Sequence, residues 1–465
     1  MKQQHTQNSF TVLSPTAILG YGFPESSFMA GIGRKPDLIA VDGGSTDPGP
    51  YYLGKGISFT NRLGVKRDLR FMLTEGVKQR IPVVVGTAGG AGGQMHLDWC
   101  LEIVREIARE EDLSFRLGII PADIDRQMVL QKLNSGGIEG LDGFGELTAE
   151  TVEQTGTIVA QMGIEPIVQA HRSDCDVILC GRAYDPAVFA ALPIIQGFDP
   201  GLALHMGKIL ECAAIAASPG SGSDSVLGIL TSDAFRLETL SAERKFTAES
   251  TAAHSLYEKA DPYHLYGPGG HIDLTNCSFS EDESGVTVKG SRFVADKARP
   301  MVKLEGARLT GFRTVSIAGI RDPIMIEQID SILRTVQERV SATLSAEGID
   351  GRLIFHIYGK NGVMEELEPV RTVNSHELGL IIEGVGRNQG EADSICSIAR
   401  SSLLHYGYPG RISTAGNLAF PFSPSDIHGG EVYEFSIYHL METGGTPEKL
   451  FPLKIEEITG KETRT

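Results

Sequence analysis

In "GRAYDP" (181–186), Arg182 and Asp185 stand three residues apart with Tyr184 between them. A guanidinium in such a loop suits bidentate binding of a carboxylate or phosphate, and a carboxyl beside it suits proton transfer. The bland alternative is that Arg182 pairs with Asp185 and merely ties the loop down. A second pair, His254 and Glu258 in "HSLYEKA" (254–260), is four residues apart. On a helix that spacing puts both on one face, fit for acid/base work or, with one more carboxylate, for a metal ion. A surface His–Glu contact is the competing reading.

Glycine-rich turns accompany these pairs. "VDGGSTDPGPYY" (41–52) supplies Asp42, Gly43, Gly44, Ser45, Thr46 and Asp47, and "VVVGTAGGAGGQ" (83–94) supplies Thr87, Ala88, Gly89 and Gly90. "GPGG" (267–270) adds Gly269 and Gly270, another turn that exposes backbone. "SPGSGSDS" (218–225) is either a linker or a shaped loop with Ser221 and Ser223 as donors to an anion. A strand followed by a glycine turn and a helix start favours anions, because orphan N–H groups and the helix dipole point outward. Close helix–strand packing without a ligand remains the alternative for residues 86–93.

Stricter nucleotide motifs fail. G-x-G-x-x-G begun at Gly86 needs glycines at Ala88 and Ala91, and begun at Gly90 needs one at Met95. "GPYYLGKG" (49–56) satisfies G-x-x-x-x-G-K but puts Gly56 where Ser or Thr would touch Mg²⁺. No G-x-S-x-G follows a strand, so a serine nucleophile is not indicated.

The elements that must position these residues alternate. Strands are expected at 37–44, 81–86, 115–120 and 176–181, with helices at 65–80, 97–110 and 125–133 between them. Continuous Val/Ile/Leu runs imply strands covered on both faces, hence a Rossmann-like parallel α/β sheet in the N-terminal part. Ligands bind at the carboxyl ends of such strands, so the turns after Val41, Val85 and Cys180 should open onto one edge. Further on, the pattern predicts helices at 206–217, 248–260, 322–348 and 391–407, and strands at 226–231, 284–294, 352–359, 378–386 and 431–442. This divides the chain into a core at 9–359, its two lobes meeting near 218–224, and a smaller C-terminal α+β part at 360–465. The polar ends, 1–8 and 459–465, read as frayed.

Composition narrows the partners. Forty-two basic residues against 59 acidic leave a net charge of −17, which opposes nucleic acid and anionic membranes. Hydrophobic residues at 41% and charged ones at 22% are globular values. Six scattered cysteines without a C-x-x-C pair disfavour a disulfide framework or zinc site, and no leader or spanning segment is read. The expectation is a cytoplasmic protein, homo-oligomeric as such enzymes commonly are.

Several long blocks resemble the acyclic terpene utilisation family. They include "DGGSTDPGP" (42–50), "VGTAGGAGG" (85–93), "TIVAQMGIEP" (157–166) and "GRAYDPAVFAALP" (181–193). Others are "GLALHMGKILECAAIAASPGSGSD" (201–224), "AAHSLYEKADPYHLYGPGGHIDL" (252–274), "VKLEGARLTGFRTVSIAGIRDP" (302–323) and "NLAFPFSPSDI" (417–427). The resemblance implies catabolism of branched terpenoid or related hydroxy acids through coenzyme A thioesters, and it carries no established catalytic residue. The expected function is a lyase, hydratase or isomerase acting on a carboxylate or acyl-CoA without a redox cofactor. Asp47, Asp185, Glu258 and His254 would move protons, Arg182 and the glycine turns would hold the anion, and Thr87 and Ser45 would donate to a developing enolate. A CoA- or nucleotide-binding accessory subunit is the alternative, and a non-standard nicotinamide oxidoreductase a third; metal content stays open.

Overall fold

A computed structural model describes residues 8–141, 143–296, 298–412 and 418–460. The ends read as frayed therefore lie outside the described residues, apart from Asn8, Thr459 and Gly460. Contacts group the chain into two units, one running to Arg308 and resuming at Phe435, the other Leu309–Glu434. The strands are β1 (Phe10–Ser14), β2 (Leu38–Asp42), β3 (Val83–Gly86), β4 (Phe115–Ile120), β5 (Ile138–Gly140), β6 (Thr157–Ala160) and β7 (Val177–Cys180). Then come β8 (Val226–Leu230), β9 (Phe235–Thr239), β10 (His264–Gly267), β11 (Gly270–Asp273), β12 (Ser278–Asp282), β13 (Gly285–Lys289) and β14 (Arg292–Ala295). The last are β15 (Met301–Ile320), β16 (Gly351–Tyr358), β17 (Leu378–Gly386), β18 (Asp426–Glu442) and β19 (Lys454–Ile458).

The main sheet of the first unit has the order β12-β13-β9-β8-β1-β2-β3-β7-β4-β19. Its middle, β1-β2-β3-β7-β4, is parallel throughout. The flanking β8 and β19 run antiparallel to β1 and β4. The parallel strands have no polar alternation because both faces are covered. Leu38, Ala40, Val84 and Ile178 pack to one side and Ile39, Val41, Val83, Val85 and Leu179 to the other. Helices Arg62–Gln79 and Gln94–Glu110 cover the second face, and Asp185–Ile195 and Pro200–Leu210 the first. Asn61 caps the 62–79 helix by accepting from the Leu63 amide, and Asp199 caps the 200–210 helix through the Leu202 amide.

Three segments differ from expectation. The helix expected over 248–260 ends at Ser255, and Glu258 takes a left-handed φ of +60°. The single helix expected over 322–348 is two, Pro323–Glu327 and Ile329–Ala346, broken at Gln328, with Asp322 capping the first. "MGKILECAAIAA" is not one helix either: Pro200–Leu210 stops before a short 3₁₀ turn at Ala213–Ala216.

In the second unit, β17 lies between β16 and the Phe312–Ile320 part of β15, all antiparallel. Helices Ile329–Ala346 and Gln389–Leu404 lay Ile332, Val336, Ile395 and Leu403 on this sheet against Leu380 and Ile382. Among the described residues no helix is long and apolar enough to cross a membrane.

Candidate functional site

The carboxyl ends of β2, β3 and β7 are neighbours, so the three loops that follow them meet. Their glycines are what lets them meet. A Cβ on Gly43 would lie 2.6 Å from the Gly86 carbonyl oxygen, one on Gly44 2.5 Å from that of Gly90, and one on Gly92 2.3 Å from the Arg182 nitrogen. Backbone amides that sequence reasoning assigned to an anion are used within the chain. Gly43 N–H donates to Gly86 O at 2.7 Å, Thr87 N–H to Gly181 O at 3.0 Å, Ala88 N–H to Cys180 O at 2.9 Å and Gly90 N–H to Thr87 O at 3.2 Å. Gly44 N–H donates to the Asp42 carboxylate at 3.1 Å. The glycines at 43–44 and 86–92 thus join loop to loop, and their packing replaces the open anion cradle.

Side chains held by these loops form a buried charge network. The Arg182 Nε donates to Glu305 on β15 at 2.6 Å, and its Nη1 reaches Asp185 at 3.3 Å and the Ala183 carbonyl at 3.1 Å. Glu305 also accepts from Thr46 at 2.9 Å and from Lys303 at 2.9 Å. The Lys303 ammonium sits 3.8 Å from the centre of the Tyr438 ring. Burial alone would raise the Glu305 carboxyl, but Arg182 and Lys303 overcome it and bring it down to about 2. Arg182 was expected to clamp a ligand; its guanidinium instead faces carboxylates of its own chain, Glu305 and Asp185. Asp42 is shifted the other way, well above the carboxylate range, by burial and then by the nearby Asp185 charge. Burial also raises Asp185, with Arg182 and Lys208 opposing.

Around Lys208 the network changes character. Lys208 and Glu211, one helical turn apart, are both buried and hydrogen-bonded to each other. Burial would release the Lys208 proton, and Glu211 more than offsets it. Glu211 is pushed up to about 8 by burial, partly countered by Lys208 and reinforced by Asp185. Its Oε2 has no hydrogen-bond partner, and neither have the buried Tyr184 hydroxyl and His254 Nε2. All three feel the Lys208 charge or lie beside it: Tyr184 and His254 are both influenced by it, and His254 stacks on Tyr257, whose ring Lys208 faces at 5.3 Å. Burial and then Lys208 bring His254 down to about 4, so its ring is neutral near pH 7. Buried polar atoms are almost always paired, and three unpaired ones round a single ammonium mark a place for polar ligand atoms or water. Lys259 completes the group, its ammonium 5.7 Å from the Tyr184 ring centre.

The other residues singled out from sequence fall as follows. Asp47 is exposed and accepts from Ser45 at 2.8 Å at the mouth of the β2 loop. Thr87 is buried, accepting from the Ala183 amide at 3.2 Å, and Ala88, Gly89 and Gly90 are buried beside it. Glu258 lies past the end of the 248–255 helix, so it does not share a helix face with His254; it approaches Lys208 at 3.9 Å from a half-exposed position. Among the described residues no group of three His, Cys, Asp or Glu is placed to hold a metal ion. Gly269 and Gly270 belong to a tight β10–β11 hairpin in which Gly267 pairs with Gly270. Ser221 and Ser223 sit in a loop fastened to the β1 exit, where Thr16 and Ala17 donate to the Gly222 carbonyl and the Ser223 hydroxyl to that of Tyr21. That loop is shaped, not a linker.

Sequence reasoning missed Lys208, Glu211, Lys259, Lys303 and Glu305. One signal was readable: Lys208 and Glu211 interrupt an otherwise apolar helix, "GLALHMGKILE", where charge is costly unless paired. Glu305 gave none, since a charge in an alternating strand reads as a solvent face. A separate cleft of about 510 Å³ in the second unit is lined by Arg321, Glu327, Asp330, Lys360, Arg371 and others. Lys360 pairs there with Asp330, and Arg321, Glu327 and Arg371 are exposed. It lacks the buried, unpaired groups of the first unit.

Residues 63–220 match a known family, described as acyclic terpene utilisation family protein AtuA. The resemblance drawn from sequence blocks holds over this stretch, which contains Thr87, Arg182, Tyr184, Asp185, Lys208 and Glu211. No curated protein and no solved structure matches the chain.

Proposed function

From a segment similar to the acyclic terpene utilisation family and carrying Asp185, Lys208 and Glu211, we propose an enzyme of carboxylic-acid catabolism. In this reading it acts on a terpenoid or related branched or hydroxy acid, free or as its acyl-CoA ester, by hydration, elimination or isomerisation beside the carbonyl, and uses no redox cofactor. One observation carries the proposal: Glu211, paired with the buried Lys208, leaves its Oε2 without a hydrogen-bond partner, and so do the Tyr184 OH and His254 Nε2, both of which feel the Lys208 charge.

Each of these groups has a chemical use. Glu211, raised to about 8, holds its proton near neutral pH and can both give and take one. A substrate carboxylate beside Lys208 would take over the charge that Glu211 supplies to that ammonium, leaving Glu211 free to take up a proton. Tyr184 and the neutral His254 would donate to oxygen as charge develops there. Asp185 orients Arg182 and sets the local field, while Asp47 and Glu258 stand at the rim. The parallel strands at the middle of the main sheet support the reading because ligands commonly seat at the carboxyl ends of such strands.

The test is a thermal-shift screen of the purified chain against CoA, acyl-CoAs and small carboxylic acids, followed by turnover of whichever acid binds. A ligand of the native state raises the melting temperature by mass action. Glu211→Gln should keep that shift while turnover falls about 10²-fold or more, the usual contribution of a positioned acid or base. Binding with no turnover in the native chain would favour the accessory-subunit reading, and no binding at all would end the proposal.

A further inference from the structure

Lysines 208, 259 and 303 stand round the network, and two of them are bound to carboxylates: Lys208 to Glu211 and Lys303 to Glu305. Lys259 is not. It follows the left-handed Glu258, is half-buried, and holds its nitrogen 5.7 Å from the centre of the Tyr184 ring, where the Lys208 charge acts on it. A half-buried lysine that feels a second cation and, among the described residues, forms no ion pair with a carboxylate is arranged as an amine nucleophile, not as an ion-pair member. We propose that Lys259 condenses with the ketone or aldehyde carbonyl of an oxo acid, forming an imine while Lys208 holds the substrate's carboxylate.

The step balances within the groups present. The amine lone pair forms the C–N bond, and the carbonyl π pair moves to oxygen, which takes a proton from Glu211. Nitrogen then loses a proton to the Glu211 carboxylate. The hydroxyl leaves as water with that proton returned, so that one neutral amine, one carbonyl and the protonated Glu211 give a protonated imine, one water and the Glu211 carboxylate. The protonated imine draws electrons from the adjacent carbon, so a proton there becomes removable, as elimination or isomerisation requires. Burial, then the charge of Lys208, lowers Lys259 below the usual lysine range, with Glu211, Asp185 and Glu258 opposing, which enlarges the share of neutral amine. This inference rests on the cluster being the active site and adds the substrate class, an acid bearing a second, electrophilic carbonyl.

Sodium borohydride reduction in the presence of acetoacetate tests it on the full chain. The expected result is one reduced adduct, mapped by peptide mass spectrometry to Lys259, and its loss in Lys259→Met and Lys259→Arg. Should the methionine variant fail to fold, the arginine variant, which keeps length and charge, carries the comparison. An unmodified chain whose melting temperature acetoacetate nevertheless raises would overturn the imine and leave the proposed function standing. Undiminished adduct in Lys259→Arg would overturn it equally. If neither acetoacetate nor any acid of the screen binds or reacts, both readings fall together.

Discussion

A single buried ion pair anchors the charge network beside β7. Arg182 is almost wholly buried and is neutralised by a Glu305 with no exposure at all. Removing one partner of such a pair strands the other charge away from water, at a cost of about 3–5 kcal/mol. Glu305→Ala should therefore lower the urea midpoint by that equivalent, and an unchanged midpoint would mean that Arg182 finds water or another partner. Glu305 and Glu211 also give opposite pH dependences. The Glu305 carboxyl is lowered to about 2 from an ordinary 4.5, so its stabilisation is present above that ordinary value and is lost as pH falls through about 2. Glu211 is raised to about 8 from 4.5, so the fold prefers it protonated; that preference acts fully below 4.5 and is lost as pH rises through about 8. Melting temperatures measured from pH 5 to pH 9 should thus fall less steeply in Glu211→Gln than in the native chain, and parallel curves would refute the assignment. Arg182 and Asp185 were legible from sequence because they share one short loop. Their buried partner was not, since Glu305 lies 123 residues away and becomes internal only when β15 pairs with β6.

At the scale of elements, the glycine loops are joints. Gly92 has φ +71° and a Cβ there would strike the Arg182 backbone, whereas Gly269 has φ +77° with open space round it. Left-handed backbone costs a side-chain-bearing residue about 1–2 kcal/mol, and Gly269→Ala should lose no more than that. Gly92→Ala adds a collision between two backbones and should lose about 3 kcal/mol or more in denaturant unfolding, with no ligand present. Equal losses at the two sites would show that the loops can part. The strands and helices here were legible to within a few residues: the 115–120 strand falls as expected, and the helix expected at 97–110 starts three residues earlier. Their order was less so. The turns after β2, β3 and β7 meet at one edge, yet β7 enters between β3 and β4, a placement that hydrophobic periodicity does not encode. Glycine's dual use hid the rest, because loop packing and ligand approach demand the same residue.

The whole molecule is threaded discontinuously: the chain leaves the first unit after Arg308 and rejoins it at Phe435. The 308/309 division falls inside the unbroken β15, where neither proline, glycine clusters nor a shift in composition marks it. Residues 309–434 own a separate apolar core, Ile332, Val336, Leu380, Ile382 and Ile395 among it, and are expected to give a cooperative melt when expressed alone. A non-cooperative melt would show that this core does not suffice. The returning segment ends with β19 along β4, where Glu456 pairs with Arg105 and Glu457 with Arg116. Ending the chain after Leu453 would bare the β4 edge, and unpaired edges recruit other chains. The shortened protein should elute as aggregate in size-exclusion chromatography, and elution and melting identical to the full chain would count against the role given to β19. The same pairing sets a timetable for the ribosome. Ile119 waits for Lys454, more than three hundred positions later, so that flank of the sheet stays open while the intervening chain is made. A nascent chain stalled before that point therefore carries an unpaired β4 edge, the kind of edge that recruits other chains.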